Sequence, residues 1–114
     1  MQYLPKEATK IELENTTVDF YKYNENNITY YYFDTSLVPA PEPMVNAMIG
    51  LQLVDDNTKL VMINHKPPIA LFPKIQKNYS YDINELDRET YKIIFSYKKG
   101  TIQKTNFSEN NCLG

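Results

Sequence analysis

Hydrophobic residues in this chain fall into short alternating or continuous runs separated by polar punctuation, and the period of each run names the element it predicts. Ile11 and Leu13 alternate with Glu12 and Glu14, the pattern of a half-buried strand. Residues 17–23 and 28–34 are β-branched and aromatic. Asn24, Glu25, Asn26 and Asn27 between them tolerate left-handed backbone angles, so the pair reads as a hairpin. In its second arm Ile28, Tyr30 and Tyr32 point to one face and Thr29, Tyr31 and Phe33 to the other, so something must cover both. Asp34, Thr35 and Ser36 then break the pattern, and Pro39, Pro41 and Pro43 stand where a helix can begin but cannot already be running. A helix over residues 41–54 is expected, with Met44, Met48 and Leu51, flanked by Val45 and Ile49, as its apolar face and Glu42 in its first turn. Gly50 counts against it, since glycine costs a helix about 1 kcal/mol relative to alanine.

Leu60, Val61, Met62 and Ile63 form a continuous apolar run, the mark of a central strand buried on both faces. A short second helix should open at Pro68 or Pro73 and end near Lys77. Tyr79, Tyr81 and Ile83 alternate as a strand, residues 84–90 make a charged turn, and Tyr91, Ile93, Phe95 and Tyr97 line one face of a last strand. Beyond Gly100 the chain is polar with isolated Ile102, Phe107 and Leu113, either a final edge strand or a mobile tail.

Length and charge narrow the classes. A chain of 114 residues is one domain, and 42% hydrophobic with 13% aromatic residues is enough to bury a core. The formal net charge of −2 is spread without blocks, so neither nucleic acid nor a membrane is an expected partner. One Cys and one His exclude a disulfide framework and a single-chain zinc site built from these residues; no metal and no cofactor are expected. The first residues form no apolar signal segment, and the apolar runs are too short to span a bilayer, which points to a soluble cytoplasmic protein.

Between residues 28 and 98 the order is strand, helix, strand, helix, strand, strand. Within it Asp34 is followed by Ala40-Pro41-Glu42-Pro43-Met44. This resembles the bacterial TusA/SirA family, whose first strand ends in an Asp and whose first helix opens on a Cys-Pro-x-Pro segment. Pro68-Ile69-Ala70-Leu71-Phe72-Pro73-Lys74-Ile75 is similar to the second-helix opening of a related bacterial domain family of unknown function that lacks the Cys, and that branch is the closer likeness. The resemblance implies an α/β (α+β) two-layer sandwich: a βαβαββ mixed sheet in spatial order first, second, fourth, third, with two helices on one face. Residues 28–99 would form this domain, residues 1–27 an N-terminal β extension packed on it and pairing with its exposed edge strand, and residues 100–114 the tail. The sheet face opposite the helices, rich in tyrosine, then becomes a candidate for a homodimer interface, which would make the protein a dimeric regulatory or structural one, or for a site under the tail.

In sulfur carriers of this type the helix-start thiol accepts and passes on persulfide sulfur. Here that position is Ala40, and the Arg-Gly that follows the Asp in the family is Ser36-Leu37, so the carrier chemistry does not transfer to this site. A non-catalytic module is expected instead, binding a partner protein or small ligand where residues 34–43 and 64–68 leave their strands, with Asp34, Pro41, Glu42, Pro43 and His65 as binding residues. The plainer account of Pro41 and Pro43 is a rigid helix start, and that of His65 a hydrogen-bonded structural residue. Cys112 offers an alternative, a thiol carrier on the tail, beside the plainer account of a passive surface cysteine. The scattered carboxylates read as solvated charges rather than an acid–base pair.

Overall fold

Asn26 and Asn27 set the first hairpin. Both lie at positive φ, 53° and 68°, as a two-residue turn matched to the right-handed twist of its strands requires, and asparagine tolerates that conformation. The turn joins β2 (Phe20–Glu25) to β3 (Ile28–Asp34), with Glu25 opposite Ile28. The computed structural model describes residues 3–98. Its other elements are β1 (Thr9–Ile11), α1 (Glu42–Leu51), β4 (Thr58–Asn64), α2 (Phe72–Ile75), β5 (Tyr79–Asp87) and β6 (Thr90–Tyr97). Together they make an α+β domain around one six-stranded mixed sheet in the order β1-β2-β3-β4-β6-β5. The β3–β4 pair is parallel, with α1 in its crossover, and the other pairs are antiparallel.

Alternation along the central strands sorts their side chains into two cores. Phe33, Leu60, Met62, Ile93 and Phe95 point to the face that carries both helices, where Ala47 and Leu51 of α1 and Phe72 and Ile75 of α2 close over them. Phe20 of β2 joins this core and stacks on Phe33 with ring centroids 4.8 Å apart. Tyr23, Tyr32, Val61 and Ile63 point to the other face, where Tyr3, Leu4 and Ala8 pack over them. β3 is thus covered on both sides, by helices and by the N-terminal segment, and its edge is paired to β2.

Several expectations from periodicity need correction. The first strand stops at Ile11, because Asn15 turns the chain at φ 71° and Thr16 Oγ1 donates to the Leu13 carbonyl; Leu13 reaches the core from a loop. The buried face of α1 is Pro43, Asn46, Ala47, Gly50 and Leu51, while Val45 and Met48, expected inside, are 40% and 45% exposed. Small residues win this face because the helix lies close on the sheet: a Cβ at Gly50 would sit 2.7 Å from Leu60 Cδ1 and 3.1 Å from Phe20 Cε2. The glycine that argued against the helix is what lets it dock. After Leu51 the chain tightens into three-residue steps, Gln52 to Ile49, Leu53 to Gly50 and Val54 to Leu51, so regular helix ends before residue 54. β5 runs on through the expected charged turn to Asp87, with an irregular step between Glu85 and Asp87, and Glu89 at φ 58° makes the reversal. Backbone pairing with β6 extends it, since an edge strand tolerates charged side chains. Cys112 and the tail lie outside the described residues. Among the described residues no helix is long and apolar enough to cross a membrane.

Burial of tyrosines makes the fold sensitive to alkali. Desolvation pushes the Tyr23 phenol up to about 12, with Glu25, Tyr30 and Glu7 adding to it. Desolvation also raises Tyr32, reinforced by Asp34 and neighbouring tyrosines, and its buried hydroxyl has no hydrogen-bond partner among the described residues. An unfolded chain ionises tyrosine near pH ~10. Above that the unfolded state holds fewer protons than the folded one, so stability falls as pH rises toward the folded values. Tm is expected to hold to about pH 9 and drop steeply through the next units, with Tyr23→Phe making the drop shallower. Thermal melts across this range check it; a flat profile would contradict the buried placement of these phenols.

Candidate functional site

The site grows from the ends of the parallel pair. At the exit of β3, Asp34 Oδ1 accepts from the Ser36 amide at 2.8 Å and from Ser36 Oγ at 2.6 Å, turning the chain off the sheet. Thr35 beside it is fully buried. Its amide donates to the Ile63 carbonyl at 2.8 Å, and its Oγ1 donates toward Asn64 Oδ1 at 3.0 Å. Asn64, 2% exposed at the end of β4, donates from Nδ2 to the Lys66 carbonyl at 2.9 Å. One amide side chain therefore ties both strand exits together and shapes the loop that leaves β4.

That loop stays folded on itself through short-range bonds, Ile69 to the Pro67 carbonyl and Leu71 to the Pro68 carbonyl, each 2.9 Å. Proline at 67 and 68 restricts the backbone, and Ile69, held between these turns, stays 73% exposed. Across from it α1 begins on Pro41, with the Glu42 amide donating to the Pro39 carbonyl and the Val45 amide to the Pro41 carbonyl, both at 3.1 Å. The N-terminal extension holds the helix in place. Thr17 donates its amide to Asn46 Oδ1 at 2.9 Å, Asn46 Nδ2 donates to Thr17 Oγ1 at 2.7 Å and to the Glu42 carbonyl at 2.8 Å, and Thr17 Oγ1 donates to Glu42 Oε1 at 2.9 Å.

Between the two loops lies an open crevice of about 590 Å³, a size in the range of roughly 300–1,000 Å³ usual for small-molecule sites. Pro39, Ala40, Pro41, Pro43 and Met44 form one wall, and residues 64–70 the other. Of the residues singled out in the sequence, Pro41, Pro43 and His65 meet here. Asp34 and Glu42 do not line the crevice: the first is spent on the Ser36 turn and the second on Thr17.

Met44, Ile69 and Ala70, which are not among the site residues expected from the sequence, also line it. Met44 packs against the helix-side core, as its spacing predicts, and also reaches the crevice; of the two openings expected for the second helix the structure takes Pro73, with α2 starting at Phe72, which leaves Ile69 and Ala70 in the loop. The available signal was Pro73, which allows the helix to open after Ile69 and so leaves that apolar residue in a loop. The lining holds no carboxylate and no thiol. Among the described residues no three His, Cys, Asp or Glu side chains gather as a metal-binding group. Compared with protein-family models, with curated proteins and with solved structures, the chain matches none of them.

Proposed function

We propose that this chain is a non-catalytic, TusA-like binding module that takes a small apolar ligand in the crevice between the β3–α1 and β4–α2 loops. The observation that carries the reading is the convergence of two proline-rich segments, residues 39–44 and 64–70, on one cavity. The first segment contains Ala40 to Met44, which resembles the TusA/SirA family, and the second overlaps at residues 68–70 the stretch Pro68 to Ile75, which is similar to the branch without the helix-start Cys. The strand order β3-β4-β6-β5 and the placement of both helices on one face support the same kinship. Proline-built walls suit binding rather than chemistry, because they hold their shape without a ligand and lose little freedom when one enters.

Titration with octanamide, followed by amide NMR, tests the site. Shifts are expected at Ala40, Met44, His65, Ile69 and Ala70, and little change at β5, which lies at the far edge of the sheet. Ala40→Trp places a large ring on an exposed wall position and is expected to weaken binding at least about tenfold while leaving the fold intact. Shifts scattered over the surface, or unchanged binding by the tryptophan variant, would remove the reading.

A further inference from the structure

We infer that the crevice prefers small apolar molecules that carry a carboxylate, with the acid against Lys66 and His65 and the carbon body between the prolines and Met44. This rests on the binding reading above. Lys66 is the one charged side chain among the lining residues, and His65 adds a half-buried imidazole. Neither enters an ion pair with a described residue. The carboxylates nearest in sequence, Asp34 and Glu42, do not line the crevice and form no ion pair with Lys66; Asp34 Oδ1 is turned to Ser36 and Glu42 Oε1 to Thr17.

The side-chain donors available to an acid are therefore on the β4–α2 side. Pro41 and Pro43 have no N–H, which strips donors from the opening of α1. Asn64 is committed through Nδ2 to the Lys66 carbonyl and through Oδ1 to Thr35. The remaining wall, Pro39, Ala40, Met44, Pro67, Ile69 and Ala70, offers apolar surface to a carbon chain. A cationic ligand would meet Lys66 as a like charge, and a neutral one would leave it unused. Lys66 is exposed, so the preference for the acid is modest and shrinks with salt.

The test compares octanoate with octanamide on the full chain at low ionic strength, in the native protein and in Lys66→Gln. Octanoate is expected to bind roughly two- to fivefold tighter than the amide. The preference should be lost in the variant and at high salt, while both ligands shift Met44 and Ala70. Equal affinity for the two ligands, or a preference that survives in Lys66→Gln, overturns the inference and leaves the apolar crevice standing, because octanamide still binds there. If neither ligand moves those amides, the binding reading itself falls and takes the inference with it. If raising the protein concentration alone reproduces the shifts, a second copy occupies the crevice and the inference is wrong.

Discussion

Phe20→Ala is expected to lower stability by about 3–5 kcal/mol, the usual loss when a buried phenylalanine is truncated. Phe20 is 1% exposed, stacks on Phe33 across the β2–β3 pair and lies near the point where Gly50 brings α1 down onto the sheet. Removing its ring opens a cavity walled by the sheet and the helix, and those walls cannot close easily because Leu60 and Phe33 are themselves fully buried. The change also removes the aromatic stack, worth about 0.5–1.5 kcal/mol beyond area burial. Urea unfolding of the two proteins measures the difference. The experiment asks more than whether a core residue matters, since Phe20 belongs to the N-terminal segment that precedes β3 and the parallel β3–β4 unit. A loss of under about 1 kcal/mol would mean that the extension is an appendage and that the sheet from β3 onward stands without it.

Asn64→Ala is expected to cost about 1–3 kcal/mol and to loosen the crevice at the same time. The substitution leaves the buried Thr35 hydroxyl without its Asn64 acceptor and the Lys66 carbonyl without its donor. Thr35 keeps a 3.2 Å contact with the Ile63 carbonyl, which limits the loss at that end. The loop of residues 65–70 loses the bond that fixes its first turn, so amide exchange there should quicken while the β3–β4 ladder stays protected. Octanamide should bind less tightly to this variant although Asn64 sits at the edge of the apolar wall. Unchanged exchange in the loop would show that the prolines alone hold it, and would move the origin of the crevice from Asn64 to Pro67 and Pro68.

Much of the architecture was legible in the residues because it rests on local rules. The two asparagines of the hairpin, the prolines before α1 and the run from Leu60 to Ile63 each act through backbone angles or strand period, and each is read within a few positions. The failures share a cause as well. Periodicity ranks residues by hydrophobicity, so it places Val45 and Met48 inside and counts Gly50 as a defect. The helix instead docks through Ala47, Gly50 and Asn46, since contact with the sheet is set by how closely two backbones can approach. Asn46 could not be identified as buried from its own neighbours, because its partner Thr17 lies 29 positions away, in the loop between β1 and β2.

The candidate site divides in the same way. The chain's own chemistry determined that Ala40 cannot act as a thiol, that the prolines stiffen two strand exits and that Lys66 and His65 sit beside one of them. Tertiary structure alone decided that the two exits face each other, because the parallel pairing of β3 with β4 places Asp34 beside Ile63 and so brings both loops to one end of the sheet. It also decided which polar groups remain for a ligand. Asp34 and Glu42 looked available as residues in a list, and only folding supplied Ser36 and Thr17 to occupy them. A side chain's type is local, but whether its hydrogen-bonding capacity is already used depends on partners that the fold brings from elsewhere in the chain.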